Sequence, residues 1–110
     1  MFIALLPERY PTGHEQMGIR PVIVIARPFP TRFPTVIAVP LTSKVHGWQA
    51  INPALCPMIM PGDNGLTTPS AALLDHLQSI DEERLERRLG GLTDAELAQI
   101  LKGLRSLLGF

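Results

Sequence analysis

The sequence predicts a mainly β protein that ends in one helix, and three observations support this. Most of the 11 prolines precede Pro69, which favours short strands and stiff loops over helices in that part. The stretch Arg20 to Ala26 is rich in β-branched residues, and the last residues repeat leucine at helical spacing. At 110 residues, we expect one domain spanning residues 1–110.

Three strands are predicted in the first half of the chain. Phe2 to Leu6 is a short one, and Arg20 to Ala26 is the strongest, with apolar residues on both faces as a central strand requires. Thr35 to Val39 follows and is expected to end at Pro40. Residues 41–44 should then leave the sheet with two hydroxyls, at a position where side chains are held firmly and still meet solvent.

The middle of the chain has weaker signals. Residues 46–57 look irregular, whereas the stretch from Pro57 to Pro61 has room for a brief strand. Gly62 to Gly65 is a strong turn signal. We predict a strand over Ser70 to Ile80 and leave a helix open there, because alanine and leucine serve both.

The closing segment has the pattern of an amphipathic helix. Thr93 and Glu96 have the spacing of a capping box, and Gly109 is a natural terminator. Gly103, inside the helix, should cost about 1 kcal/mol relative to alanine. The apolar positions of the stripe are Leu97, Ile100, Leu101, Leu104 and Leu108. This stripe should dock on the sheet or on another subunit.

Composition excludes several classes of protein. The charges of ten basic and ten acidic residues cancel, so nucleic-acid binding would need a local basic groove rather than a net positive charge on the whole protein. A single cysteine, Cys56, excludes an internal disulfide framework, and no apolar run approaches the roughly 20 residues of a membrane span. We therefore expect a cytoplasmic protein. The three histidines are scattered without zinc spacing, so no metal and no cofactor are predicted.

The functional prediction starts from the stretch Gly13-His14-Glu15-Gln16-Met17-Gly18-Ile19-Arg20-Pro21, which precedes a buried strand. This polar loop is bracketed by glycines, which permit backbone conformations that other residues avoid. It delivers a histidine, a glutamate and an arginine to the mouth of the strand. Such an arrangement is typical of an active-site loop.

This loop and a second motif, Val39-Pro40-Leu41-Thr42-Ser43, together resemble the PemK/MazF toxins of bacterial type II toxin–antitoxin systems. The second half agrees, because its residues fall in the order that the family shows before a closing helix. Those residues are Gly65-Leu66, Ser70, Asp75, Ser79-Ile80-Asp81, Arg84-Leu85, Gly90 and Leu92. The resemblance covers nearly the whole chain, from about Leu5 onward.

The resemblance implies an SH3-like, partly open β-barrel of the CcdB/MazF/PemK type. It also implies a homodimer with a cognate antitoxin protein as partner, no membrane association, and DNA contact only through the antitoxin. Family members are sequence-specific endoribonucleases that cut single-stranded RNA without metal. In that chemistry the ribose 2′-hydroxyl attacks the adjacent phosphorus, which requires a base, an acid for the leaving oxygen, and donors for the phosphorane charge.

The same resemblance assigns catalytic roles to four residues. Arg20 matches the family's arginine, whose forked donors suit a phosphate, and Thr42 matches the hydroxyl residue that accompanies it. His14 stands where PemK-like members carry an acid–base histidine, and Asp75 matches an aspartate of that branch. The residues predicted to bind substrate are Glu15, Gln16, Ser43 and Gln78.

Two departures from the family pattern leave an alternative open. Leu73 occupies the position of an arginine, and Gln78 that of another basic residue. Loss of two cations would weaken phosphate binding. The alternative function is a weakly active or inactive module that binds an antitoxin or another protein, such as a topoisomerase. On simpler interpretations, Thr42 caps a turn and Asp75 is an ordinary hydrogen-bond acceptor.

Overall fold

The computed structural model describes residues 1–6, 18–27, 34–44 and 53–110. Within them lie seven strands: β1 (Phe2–Leu6), β2 (Gly18–Ala26), β3 (Thr35–Thr42), β4 (Met58–Ile59), β5 (Ser70–Ala72), β6 (Gln78–Asp81) and β7 (Leu85–Arg88). Two 3₁₀ turns, Leu74–His76 and Glu82–Arg84, flank β6, and helix α1 spans Asp94–Leu108. The first part of the predicted polar loop, residues 13–17, and the first part of the irregular stretch 46–57 lie outside these residues.

All the strand pairs are antiparallel, and β2 lies between β1 and β3. The other edge of β3 is shared, because β6 pairs with its first half and β5 with its last two residues. The turn at Glu82–Arg84 then carries the chain from β6 to β7, which pairs with β1. The sheet therefore curls back towards its own edge, which gives a mostly antiparallel, partly open barrel with a C-terminal helix, as predicted.

The predicted end of β3 at Pro40 is wrong, because the strand continues to Thr42. The carbonyl of Pro40 accepts from the backbone N–H of Leu73 at 3.0 Å. In a strand, the nitrogen and carbonyl of one residue face the same side, so the Pro40 nitrogen faces the edge where the partner changes from β6 to β5. Few ladder bonds are needed at that junction, and the missing donor is tolerated there.

The single strand predicted over Ser70 to Ile80 is correct only at its ends. β5 and β6 occupy the two ends, and the 3₁₀ turn Leu74–His76 interrupts them. Leu74 is fully buried, and its N–H donates to the carbonyl of Leu55 at 3.1 Å instead of to β3. Burial of Leu74 beneath the helix thus bends the chain away from the ladder. Strand β7 was not predicted either.

Two apolar cores lie on the two faces of the sheet. The helix-side core contains Met1, Ile23, Val39, Leu41, Ile59, Ala72, Leu74, Ile100 and Leu104. The inner core contains Ala4, Leu6, Val22, Val36, Ala38 and Ile80. Neighbouring residues of β2 and β3 alternate between the two cores, so both faces of these strands are apolar, as predicted for β2.

Helix α1 begins and ends as the sequence predicts. The Thr93 hydroxyl accepts from the N–H of Glu96 at 3.1 Å, and the Glu96 carboxylate accepts from the N–H of Thr93 at 2.9 Å. Gly109 ends the helix in the left-handed conformation, with φ of 81°. No helix in the described part of the chain is long and apolar enough to cross a membrane.

Only part of the predicted apolar stripe of α1 packs on the sheet. Ile100 and Leu104 are buried in the helix-side core. Leu97, Leu101 and Leu108 form a line along one edge of the stripe, which we call the helix strip, and they are 40%, 47% and 51% exposed. The helix strip therefore remains available for contact with another chain.

Candidate active site

The two first-ranked residues, Arg20 and Thr42, lie on adjacent strands. Val22 of β2 pairs with Pro40 of β3. Beyond this pair, β2 extends back through Arg20 and β3 extends on to Thr42, because the two strands are antiparallel. Extending this register brings Arg20 opposite Thr42. Side chains two residues apart in a strand share a face, so both residues lie on the face of the inner core. Directly opposed residues have Cβ atoms about 5 Å apart, which allows both side chains to contact one phosphate.

The same line continues across two further strands. Thr42 pairs with Ala71 of β5, and Ala71 pairs with Met58 of β4. On the other side, Arg20 pairs with Ala4 of β1. We call Arg20, Thr42, Ala71 and Met58 the transverse row. It runs at right angles to the strands, with neighbouring members on adjacent strands.

The hydroxyl of Thr42 already has one partner. Its Oγ1 accepts from the backbone N–H of Lys44 at 3.2 Å, so the turn-capping role considered from the sequence is present. A hydroxyl that accepts one hydrogen bond can still donate its own proton. Thr42 is only 5% exposed, whereas Ser43 beside it is exposed. Little of the Thr42 side chain is therefore open to solvent.

Arg20 is partly exposed and lies near the start of β2. Two residues before it, Gly18 pairs with Leu6 at the end of β1. Residues 7–17 join these two paired residues in the sequence. That segment contains His14, Glu15 and Gln16, which lie outside the described residues.

Asp75 is an exposed residue of the 3₁₀ turn at Leu74–His76. Burial raises the pKa of the Cys56 thiol, and the negative charge of Asp75 raises this pKa further. Cys56 is buried and packs with Ala71 and Leu73. The charge of Asp75 thus acts on a residue that packs with Ala71 of the transverse row.

Gln78 lies on the same sheet face but further along. It pairs with Ala38, four residues before Thr42 on β3, which corresponds to about 13 Å. Its Nε2 donates to the carbonyl of His76 at 3.3 Å, while its Oε1 is buried without a hydrogen-bond partner. Nδ1 of His76 is also buried and unpartnered. An unpaired buried acceptor is costly, which makes Gln78 Oε1 a candidate ligand contact.

Leu73, which stands at the position of an arginine in the family pattern, is fully buried. It packs with Cys56 and Ala71, and its backbone N–H donates to Pro40. The side chain fills apolar space next to Ala71 of the transverse row. At this position, packing therefore replaces a positive charge.

Sequence reasoning missed Ala71 and Met58. Nothing in their local pattern marks them, because their place beside Thr42 follows from the pairing of β3, β5 and β4. A register between distant strands is a non-local property. The proximity of Cys56 to Asp75 likewise has no local signal. Among the described residues, no group of three or more His, Cys, Asp or Glu side chains could hold a metal ion.

Comparison with known proteins shows to which family the chain belongs. Residues 2–108 match the PemK-like, MazF-like toxins of type II toxin–antitoxin systems. The chain belongs to this toxin family. A similar relative is the endoribonuclease MazF of Staphylococcus saprophyticus, which is 31% identical over 101 residues, covering 88% of this chain and 79% of the relative.

Solved structures of MazF toxins share the fold. The Mycobacterium tuberculosis toxin MazF-mt6 gives a TM-score of 0.73 at 24% identity, covering 99% of this chain and 95% of that one. MazF from Deinococcus radiodurans gives 0.69 at 26% identity, with coverage of 99% and 94%. A MazE–MazF structure from the same organism gives 0.64 at 26% identity, with coverage of 99% and 93%. The toxin fold thus extends over nearly the whole chain.

Proposed function

We propose that this toxin-family protein is a sequence-specific endoribonuclease that cuts single-stranded RNA. In the proposed reaction the ribose 2′-hydroxyl attacks the adjacent phosphorus and the 5′-oxygen leaves, without a metal ion. The observation that carries the proposal is the pairing register, whose extension brings Arg20 opposite Thr42 on one sheet face. The similarity to an endoribonuclease MazF supports the same activity.

Arg20 and Thr42 would stabilise the charge that develops on the phosphorane. The guanidinium can donate two parallel hydrogen bonds to non-bridging oxygens. The Thr42 hydroxyl accepts from the N–H of Lys44, which orients it and leaves its proton for a phosphate oxygen. Donors aimed at charge that appears in the transition state commonly lower the barrier by about 3 to 4 kcal/mol each.

Proton transfer would be the work of His14 and Asp75. An imidazole titrates near neutral pH and can serve as base or acid. The segment that carries His14 starts and ends at the Leu6–Gly18 pair, beside Arg20. Asp75 is exposed in the turn that follows β5, and its charge acts on Cys56. We assign the base and acid roles to these two residues jointly.

RNA recognition would involve Glu15, Gln16, Ser43 and Gln78. Ser43 is exposed beside Thr42, and the unpartnered Oε1 of Gln78 can accept a hydrogen bond from a base amine. Gln78 lies about 13 Å from Thr42, so it would contact a nucleotide that does not carry the scissile phosphate. A single-stranded substrate is required because its base edges are free to bind.

The proposed partners are an antitoxin and a second copy of the chain. A MazE–MazF complex among the similar structures supports the antitoxin. The helix strip supports a homodimer, because three leucines of one helix edge are each at least 40% exposed. Apolar surface of this kind is characteristic of an interface between subunits.

The function is tested with a long unstructured RNA, excess chelator and end mapping. We expect cuts at a recurring sequence and cyclic phosphate ends. Arg20→Ala should lower the rate by about 10²- to 10³-fold, and Arg20→Lys should not restore it, because lysine lacks the fork. Thr42→Val, which keeps the shape, should also cost about 10²- to 10³-fold. No cutting by the unmodified protein, or equal cutting by Arg20→Ala, would refute the proposal.

The second candidate is a weakly active or inactive binding module, and the burial of Leu73 favours it. That side chain cannot supply the charge of an arginine, and Gln78 is also uncharged. The module would bind an antitoxin or another protein such as a topoisomerase. Tight binding of an antitoxin by a protein that cuts no RNA would establish this function instead.

A further inference from the structure

We propose that Met58 is a specificity-determining residue whose side chain contacts the nucleobase next to the scissile phosphate. This inference rests on the proposed nuclease function, because that function fixes the phosphate at Arg20 and Thr42. The observation behind it is the transverse row, in which Met58 follows Thr42 and Ala71 on the same sheet face.

The spacing of the row suits one nucleotide. Met58 lies two strands from Thr42, or about 10 Å. In single-stranded RNA a base stands away from its phosphate by the width of a ribose, so a base beside the bound phosphate reaches this distance. Ala71 between them is small and apolar, and Met58 is more exposed than either Thr42 or Ala71.

The chemistry of Met58 suits a base rather than a phosphate. Its side chain is uncharged, partly exposed, and packed against Cys56, Ala71 and Leu73. The polarisable sulfur of methionine makes favourable contacts with aromatic rings. A contact between methionine sulfur and an aromatic ring is worth about 2- to 13-fold in affinity. Met58 would thus position one flanking nucleotide while Arg20 and Thr42 bind the phosphate.

The test combines a protein variant with a modified substrate. Short RNAs that contain the mapped cleavage site are made with an intact base or an abasic residue at each nucleotide flanking the cut. We expect Met58→Ala to lower kcat/KM by about 2- to 13-fold on intact RNA and to change the preferred base at one flanking position. At that position, the abasic RNA should be cut equally by both proteins.

Met60→Ala is the matched control. Met60 is exposed, follows β4 and lies outside the transverse row, so this substitution should leave both the rate and the preferred base unchanged. Met58→Gln keeps the length of the side chain and covers the case in which Met58→Ala does not fold. The glutamine variant should unfold near the wild-type temperature and show the altered base preference.

The outcomes separate the two proposals. If the wild-type protein cuts RNA but Met58→Ala and Met58→Gln keep its rate and base preference, this inference fails and the nuclease assignment stands. An equal loss by Met58→Ala on intact RNA and on every abasic RNA also overturns it, because the effect would then be independent of a base. A wild-type protein that cuts no RNA overturns both proposals.

Discussion

Replacement of Gly103 by alanine should destabilise the protein although it improves the intrinsic helix propensity of α1. A Cβ atom at Gly103 would lie 2.4 Å from Cδ1 of Leu74 and 2.5 Å from the backbone oxygen of Ala54. The leucine side chain can move, but the backbone of Ala54 is held because Leu55 accepts a hydrogen bond from Leu74. Glycine at this position therefore lets the helix approach Leu74 and the backbone at Ala54.

Two opposing terms set the magnitude. Gly→Ala in a helix interior gains about 1 kcal/mol, whereas overpacking a filled core costs about 1 to 3 kcal/mol. Since both contacts are far inside van der Waals distance and one involves backbone, we take the upper value. The expected net loss is about 2 kcal/mol in the free energy of unfolding.

Urea unfolding followed by circular dichroism measures this loss. Ser106→Ala is the matched control, because Ser106 is exposed on the same helix and its replacement should stabilise by a few tenths of a kcal/mol. If Gly103→Ala is as stable as the wild type or more stable, the close packing of α1 on Leu74 is wrong.

Three further predictions follow from single residues. Thr93→Ala should cost about 1 kcal/mol in urea unfolding, because it removes the N-cap, and an unchanged midpoint would contradict the capping box. Cys56, whose thiol pKa is raised by burial and by Asp75, should stabilise the fold fully below the unfolded pKa of about 8.5 and lose this contribution as pH rises through the folded pKa. Cys56→Ser should flatten this alkaline loss, and a loss equal to that of wild type would exclude the thiol as its source. Leu101→Asp should dissociate the proposed homodimer in sedimentation, whereas an unchanged mass would exclude the helix strip as the interface of that proposed dimer.

The elements that the sequence predicts well have local causes. The β-branched run of β2 and the capping box of α1 are each contained in a few neighbouring residues. The incorrect prediction that β3 ends at Pro40 has a non-local cause, because proline is tolerated there only where the partner strand changes. The turn at Leu74–His76 is equally non-local, since Leu74 packs beneath a helix that follows much later in the chain.

The residues of the candidate site also fall into those with a local sequence signal and those without one. Arg20 and Thr42 could be proposed from two short motifs, and the strand register supports their joint role. Met58 could not be proposed, because its place in the transverse row depends on three strand pairings. The burial of Leu73 could not be read from its position in the sequence either. Pairing between distant strands therefore supplies what local patterns cannot.

A double-mutant cycle on RNA cleavage tests the central claim most directly, namely that Arg20 and Thr42 act on one phosphate. The rates of wild type, Arg20→Ala, Thr42→Val and the double variant are compared on one RNA in excess chelator. Groups that act as a unit are strongly non-additive, so the double variant should be little slower than Arg20→Ala alone. Rate losses that multiply in full would show that the two residues act independently, which contradicts this account.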